Sequence, residues 1–181
     1  MSRIELIHGS CADQEVDAVV NAANKYLYSG SGICGEIFRR NGFVPLEEAC
    51  SKIKTPLNDG DAVITPAFNM PNTKHIIHAV GPNFNNTPKA FNELQNAYYN
   101  SLNVLKNNNL HSIAFPLISS GIFGGNLEHP AYESAKQCLD AYNKFTLENE
   151  DYELLLKLCA FSEKEYEEIK GLFEEELKHG K

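Results

Sequence analysis

The sequence predicts an α/β fold in which strands and helices alternate around a layered sheet. Three observations support it: short β-branched apolar runs, amphipathic stretches with helical spacing, and glycine-rich segments that follow two of the apolar runs. The chain has 181 residues, and 43% of them are hydrophobic, which is enough to bury a full core. Since no repeat or linker divides the chain, we expect one domain over residues 1–181.

Six short segments are predicted to be strands because they are rich in branched apolar residues. Ala18–Asn21 does not alternate polar and apolar residues, which is typical of a strand buried on both faces. In chain order, the predicted strands are Ile4–Ile7, Ala18–Asn21, Ala62–Thr65, His75–Val80, Ser112–Leu117 and Glu153–Cys159.

Five segments between and after these strands are predicted to be helices. Pro45 lies near the first turn of the second helix, where its missing N–H is tolerated. Ser162 is followed by Glu165 three residues later, a capping box that marks the start of the last helix. The predicted helices are Ile33–Arg40, Pro45–Lys54, Ala90–Lys106, Leu127–Phe145 and Ser162–Leu177.

Composition and spacing argue against several classes of protein. The five cysteines are scattered without a CxxC pair, which argues against a zinc knuckle and a disulfide framework and for reduced thiols in the cytoplasm. No apolar run approaches the roughly 18 residues of a membrane span, so we expect no membrane association. The net charge of −8 disfavours nucleic-acid binding. His75 and His78 would point to opposite faces of a strand, and we expect neither a metal nor a cofactor.

Two glycine-rich loops carry the strongest functional signal. The first, Gly30–Gly35, comes after a predicted buried strand and begins a helix, and the second, Ser119–Gly125, lies between a strand and a helix in the same way. Backbone N–H groups at a helix N-terminus attract phosphate. Two such loops at the carboxyl ends of buried strands predict a shared crevice for a phosphorylated small molecule.

The first loop also matches GxGxxG, the pattern of dinucleotide-binding oxidoreductases. In that fold the loop directly follows the first strand, and a second strand ends in Asp or Glu about 20 residues later. Here NAANKYLY intervenes and another helix follows, so this alternative is the weaker one. A preference for intact NAD would support it.

Four segments together resemble the macrodomain family: NAAN at Asn21–Asn24, SGSGICGEIF in the first loop, HIIHAVGP at His75–Pro82, and SIAFPLISSGIFGG at Ser112–Gly125. They occur in the family's order and spacing and cover essentially the whole chain. The chain most resembles the bacterial branch related to mono-ADP-ribosyl hydrolases and O-acetyl-ADP-ribose deacetylases. The resemblance implies a three-layer α/β/α fold with a central mixed, mostly parallel sheet of about six strands.

The resemblance also implies an ADP-ribose site above the strand ends. The diphosphate would lie between Ser29–Ile33 and Ser120–Gly124, with Asn24 and Phe123 at the distal ribose and the Phe161 ring at the adenine. The implied catalytic residues are Asn24 and Cys34. The implied ligand-binding residues are Ser10, Cys11, Asn24, Ser29, Gly30, Ser31, Gly32, Ile33, Ser120, Gly121, Ile122, Phe123, Gly124 and Phe161.

Alternatives stay open for several of these residues. Either phenylalanine can belong to the core, and an asparagine can satisfy turn backbone groups, which we expect of Asn21 more than of Asn24. Ser10 stands where the family often has an Asp for the adenine amino group, which predicts reduced adenine selectivity. Cys34 stands where the hydrolytic branch usually has an Asp, and a thiol is a poor base at neutral pH unless the helix N-terminus lowers its pKa.

The resemblance therefore implies ADP-ribose binding and hydrolysis of mono-ADP-ribosyl adducts or O-acetyl-ADP-ribose by a positioned water. The alternative is a non-catalytic reader of ADP-ribosylated proteins. In either case the expected partner is ADP-ribose or an ADP-ribosylated protein, with nucleic acid entering only as an ADP-ribosylated end.

Overall fold

A computed structural model describes residues 1–179 of the protein. Within this range the chain forms six strands and five α-helices in alternation, as the sequence predicts. The strands are β1 (Arg3–His8), β2 (Ala18–Ala23), β3 (Ala62–Pro66), β4 (His75–Val80), β5 (Ser112–Phe115) and β6 (Leu155–Ala160). The helices are α1 (Gly32–Asn41), α2 (Phe43–Ser51), α3 (Phe91–Asn107), α4 (Pro130–Glu148) and α5 (Glu163–His179).

The strands form one sheet in the order β1-β6-β5-β2-β4-β3. β3 is antiparallel to β4, and every other neighbouring pair is parallel. The carboxyl ends of β1, β6, β5 and β2 therefore meet at one edge, where connecting loops from four neighbouring strands come together. This arrangement confirms the predicted mixed, mostly parallel sheet.

Helices cover both faces of the sheet. Val20 of β2 packs in an apolar cluster with residues of α3, α4 and α5, such as Leu102 and Phe145. Its neighbour Val19 packs in a second cluster with residues of α1 and α2, such as Phe38. Because successive residues of a strand point to opposite faces, the two clusters lie on opposite sides of β2. The predicted three-layer α/β/α architecture is confirmed.

Several predicted boundaries differ from the structure; α2, for example, spans Phe43–Ser51 and not Pro45–Lys54. Two of the differences have a local cause. β5 ends at Phe115 and not at Leu117, because Pro116 has no N–H with which to continue the ladder. α4 begins at Pro130 and not at Leu127, with the proline in the first turn, where a missing N–H is tolerated. The predicted capping box is present: Glu165 N donates to Ser162 Oγ (3.1 Å), and Ser162 N donates to Glu165 Oε1 (3.2 Å).

Residues 1–179 contain the five α-helices given above. None of these helices is both long enough and apolar enough to cross a membrane.

Candidate functional site

A cleft of about 930 Å³ opens where β1, β6, β5 and β2 end. This volume lies at the upper end of the roughly 300–1,000 Å³ of typical small-molecule sites. Four chain segments supply most of its lining: residues 9–13 after β1, the end of β2 with the first glycine loop, residues 116–123 after β5, and the end of β6 with Phe161. Residues of α1 and α5 complete it, namely Glu36, Arg39, Arg40 and Glu165. The topology thus brings segments that are far apart in sequence to one concave site.

All but two of the predicted site residues line this cleft. Ser29 is exposed and lies outside the cleft, two residues after buried Leu27, which has φ +60°. Gly124 is buried behind the second loop, where its N–H donates to Gly121 O (2.9 Å). The structure does not bring these two residues to the cleft wall, and their part in ligand binding stays a prediction.

The first glycine loop presents backbone donors at the start of α1. The first helical hydrogen bond runs from Gly35 N to Ser31 O (3.3 Å), and the Ser31 side chain makes no capping bond. Within residues 1–179, the N–H groups of Gly32, Ile33 and Cys34 have no acceptor. Together with the helix dipole, these three donors make a site suited to an anion.

Glycine is required at two positions of this loop. Gly32 has φ +59°, a left-handed conformation that side chains with a Cβ rarely adopt. A Cβ on Gly35 would lie 2.5 Å from Gly30 O, because the loop folds back directly onto the first turn of α1. These glycines let the backbone adopt the shape that exposes its N–H groups.

The second glycine loop faces the same cleft with a similar set of donors. No described residue accepts from the N–H groups of Gly121, Ile122 and Phe123. The loop is held from behind, since Asn85 Nδ2 donates to Ile122 O (2.8 Å) and Phe84 N donates to Phe123 O (2.8 Å). Its donors are therefore ordered before any ligand binds.

Asn24 lines the cleft but also supports its own loop. Its Oδ1 accepts from Tyr26 N and Tyr28 N (both 3.1 Å), and its Nδ2 donates to Tyr28 O (2.8 Å). Both acceptor positions are occupied, and one N–H remains free to donate to a ligand. In this arrangement the amide can donate to a ribose hydroxyl while its oxygen serves the loop, and the role of Asn24 at the ribose diol stays a prediction.

Asn21 does not have the turn role that we expected of it. It is buried in β2, and its Nδ2 lies 3.1 Å from His78 Nδ1 on the neighbouring strand. Of the two asparagines in NAAN, the one that satisfies turn backbone groups is Asn24.

Cys34 is a buried thiol at the cleft wall. It is 5% exposed, and its Sγ donates to Tyr28 O (3.6 Å). Burial raises the pKa of Cys34, and this effect outweighs the nearby groups that lower it. The side chain is therefore a neutral thiol near pH 7 and is poorly suited to act as a base.

The end of the cleft near β1 and β6 combines an aromatic ring with polar groups. Phe161 is 77% exposed, so the alternative that it belongs to the core is wrong. Ser10 Oγ accepts from Ala12 N (3.2 Å) at the start of a 3-10 turn, which leaves its O–H free to donate. Gly9 N donates to Ala160 O (2.9 Å), which holds the two segments side by side.

Sequence analysis missed the charged residues of the cleft. Arg40 lies 2.7 Å from Asp13 and 3.6 Å from Glu36, and Arg39 also pairs with Glu36. The sequence could have predicted these residues, because Gly32, Glu36 and Arg40 are spaced four residues apart. At that spacing they lie on one face of α1, the face next to the glycine loop. The missed lining residues are Gly9, Asp13, Ala22, Ala23, Glu36, Arg39, Arg40, Pro116, Leu117, Ser119, Cys159 and Glu165.

Residue types that can ligate metals occur throughout residues 1–179, including Asp13, Glu36 and Glu165 at the cleft. In that part of the chain, no group of three or more His, Cys, Asp or Glu side chains could hold a metal ion.

Known proteins share this sequence and fold. The Macro domain family model matches residues 20–135. An O-acetyl-ADP-ribose deacetylase of Citrobacter rodentium is 38% identical over 164 residues, which cover 87% of this chain and 88% of that protein. The ADP-ribose glycohydrolase MACROD1 of Rattus norvegicus is 36% identical over 179 residues, or 98% of this chain. The chain spans only 65% of the length of that rat protein.

Solved structures agree with the sequence comparisons. A mutant of the Oceanobacillus iheyensis macrodomain with ADPR has a TM-score of 0.84 and 34% identity, and the match covers 98% of this chain and 93% of that one. The Trypanosoma brucei macrodomain in complex with ADP-ribose has a TM-score of 0.80 and 28% identity over 94% of this chain and 68% of that one. With its sheet order, its two glycine loops and these matches, the chain belongs to the macrodomain family.

Proposed function

We propose that this protein binds ADP-ribose in the cleft and hydrolyses mono-ADP-ribosyl adducts or O-acetyl-ADP-ribose. The observation that carries the proposal is the pair of facing loops, each with three unpaired backbone N–H groups. Six preorganised donors suit the two phosphates of a diphosphate without any lysine. The names and ligands of the relatives support the same ligand class.

The proposed orientation of ADP-ribose follows the chemistry of the cleft. The diphosphate lies between the two glycine loops, and the adenine lies at the end that holds Phe161 and Ser10. The distal ribose then lies beside Asn24, whose free N–H donates to a ribose hydroxyl. The three hydrogen bonds of Asn24 to its loop keep this donor in place.

The proposed reaction is attack by water on ribose C1″ or on an ester carbonyl. A bond forms between the water oxygen and that carbon, the bond to the leaving oxygen breaks, and the leaving group takes up a proton. Of the acidic groups in the cleft, Asp13 and Glu36 pair with arginines, Glu165 lies at the end proposed for the adenine, and burial raises the pKa of the Cys34 thiol, so none is proposed as the base. Positioning of the water by the loops and a substrate phosphate therefore supplies the rate enhancement.

The second candidate function is a reader that binds ADP-ribosylated proteins without cleaving them. The observation that favours it is the neutral thiol of Cys34 where the hydrolytic relatives that the sequence resembles usually have a carboxylate. A reader would keep the diphosphate clamp and lack turnover.

Two broader proposals concern the whole chain. We propose that residues 1–181 act as one domain, which the single six-stranded sheet supports. We also propose a cytoplasmic location, which the five unpaired cysteines support because such thiols persist in a reducing compartment.

Calorimetric titration with ADP-ribose, ADP, AMP and NAD tests the ligand. We expect micromolar binding of ADP-ribose and weaker binding of the other three. Equal binding of all four, or no binding, contradicts the proposal, and a preference for NAD would revive the oxidoreductase alternative.

Turnover of a mono-ADP-ribosylated peptide and of O-acetyl-ADP-ribose then separates the hydrolase from the reader. We expect turnover by the wild type and its loss in Asn24→Ala with folding intact. The matched control is Asn108→Ala, which removes a solvent-exposed amide that donates to Val104 O (2.8 Å) at the end of α3. Binding without turnover identifies a reader, and unchanged turnover in Asn24→Ala overturns the role of Asn24.

A further inference from the structure

Three carboxylates line the cleft, and one of them lacks a cationic partner. Asp13 and Glu36 pair with Arg40 and Arg39. For Glu165, no basic group of the described residues lies within 4.0 Å. Its negative charge is therefore available to a ligand.

Glu165 is held in one position by the capping box of α5. Ser162 N and Ser162 Oγ donate to Oε1 at 3.2 and 3.1 Å, and Glu165 N donates to Ser162 Oγ at 3.1 Å. Oε2 has no hydrogen-bond partner among the described residues and is not among their buried unpaired atoms. An ionised carboxylate oxygen can only accept hydrogen bonds.

This acceptor shares its end of the cleft with a stacking surface and a donor. Glu165 lies one helical turn after Phe161, whose exposed ring offers a flat face to a base. The bond from Gly9 N to Ala160 O places the segment that contains Ser10 alongside. Ser10 contributes a hydroxyl whose oxygen already accepts from Ala12 N.

We propose that Glu165 determines the base specificity of the site. Glu165 Oε2 accepts a hydrogen bond from the exocyclic amino group of adenine, and the Ser10 hydroxyl donates to the adjacent ring nitrogen. This inference rests on the proposed nucleotide function. Hypoxanthine has an oxygen in place of that amino group. This oxygen would lie next to the carboxylate, and the two acceptors would repel each other. Ser10 in place of an Asp predicts reduced selectivity for adenine, and Glu165 supplies the carboxylate that restores this selectivity.

Calorimetric titration with ADP and inosine 5′-diphosphate tests this inference, because the two ligands differ at the base and lack the distal ribose. In the wild type we expect ADP to bind roughly tenfold to a hundredfold more tightly. Glu165→Gln keeps a residue suited to the capping box, but its amide can donate as well as accept. We expect the ratio of the two affinities to fall to within about threefold in this variant.

The matched control is Glu163→Gln, which removes an exposed carboxylate from the same turn of α5 and should leave the ratio at its wild-type value. Adding Ser10→Asp to Glu165→Gln returns a carboxylate to this end of the cleft and should restore the preference for ADP. If the preference for ADP were lost only because Glu165→Gln disturbs α5, then Ser10→Asp would not restore it.

Equal wild-type binding of ADP and inosine diphosphate would overturn the role of Glu165 while leaving the diphosphate site intact. An unchanged ratio in Glu165→Gln would also overturn it. If ADP-ribose itself does not bind, the proposed function fails first, and that result is distinct from loss of base discrimination.

Discussion

His78 provides the most quantitative prediction, which concerns the pH dependence of stability. Its side chain is fully buried on β4, where Nδ1 lies 3.1 Å from Asn21 Nδ2 and Nε2 lies 2.9 Å from Thr65 Oγ1. Burial lowers the pKa of His78 from 6.5 to about 4, because the charged imidazolium loses its hydration. The perturbation is acidification from pH 7 to pH 4, with His78→Gln as the variant that cannot titrate.

Stability changes with pH because the folded and unfolded states bind a proton at His78 in different pH ranges. Between pH 6.5 and about 4 the unfolded chain has a protonated His78 and the folded chain does not. The free energy of unfolding therefore falls as the pH falls through this window, and the contribution is fully present only above pH 6.5. A pKa lowered to about 4 corresponds to about 3 kcal/mol. For a chain of this size, a loss of about 3 kcal/mol of unfolding free energy lowers Tm by about 6–12 °C.

The assay is urea unfolding at closely spaced pH values from 7.5 to 4, followed by circular dichroism. Carboxylates also titrate at the acid end, so the measured quantity is the difference between wild type and His78→Gln. We expect this difference to shrink by about 3 kcal/mol as the pH falls. The control is His129→Gln, which removes a histidine whose side chain is 63% exposed.

If wild type and His78→Gln lost stability in parallel as the pH falls, protonation of His78 would not be the cause of the loss. A direct measurement covers the case in which the variant does not fold. Nuclear magnetic resonance of the folded wild type should show a neutral His78 ring at pH 5.5, and a protonated ring at that pH would refute the low pKa.

Three further predictions concern the cleft. Gly35→Ala places a methyl group 2.5 Å from Gly30 O, so we expect a loss of about 1–3 kcal/mol in urea unfolding and weaker ADP-ribose binding by calorimetry. A Cβ on Gly121 meets nothing within 4 Å, so Gly121→Ala should leave Tm nearly unchanged, while its methyl group hinders close approach of the ligand and lowers ADP-ribose affinity about tenfold by calorimetry. Cys34→Ser should keep turnover within about threefold because burial raises the pKa of the thiol, and loss of turnover would instead assign it to the chemistry.

Local sequence patterns predicted the elements well where local physics decides them. The Ser162 and Glu165 capping box formed as expected, because both partners lie within one turn of a helix. Predicted ends were wrong at Pro116 and Pro130, where a missing N–H ended one element and began the next. Both prolines are visible in the sequence, so these two errors were avoidable.

Hydrogen-bond partners were harder to predict than elements. The NAAN motif does not reveal that Asn24 uses its acceptors on its own loop while Asn21 faces His78 across β2 and β4. The hydrogen-bond partner of each asparagine depends on the direction of its side chain and on which strand lies next to it. For the same reason the sequence did not show that Arg40 pairs with Asp13, 27 positions away in the chain.

The alternation of strands and helices, the two glycine loops and the family resemblance were predictable from the sequence, because periodicity, turn residues and motif spacing are local properties. The folded chain was needed to show that Ser29 and Gly124 lie outside the cleft and that Glu165 lies in it without a cation. It was also needed to show that burial raises the pKa of Cys34. Burial, pairing and shared exposure to one cavity are set by residues distant in sequence, because packing around the sheet brings those residues together.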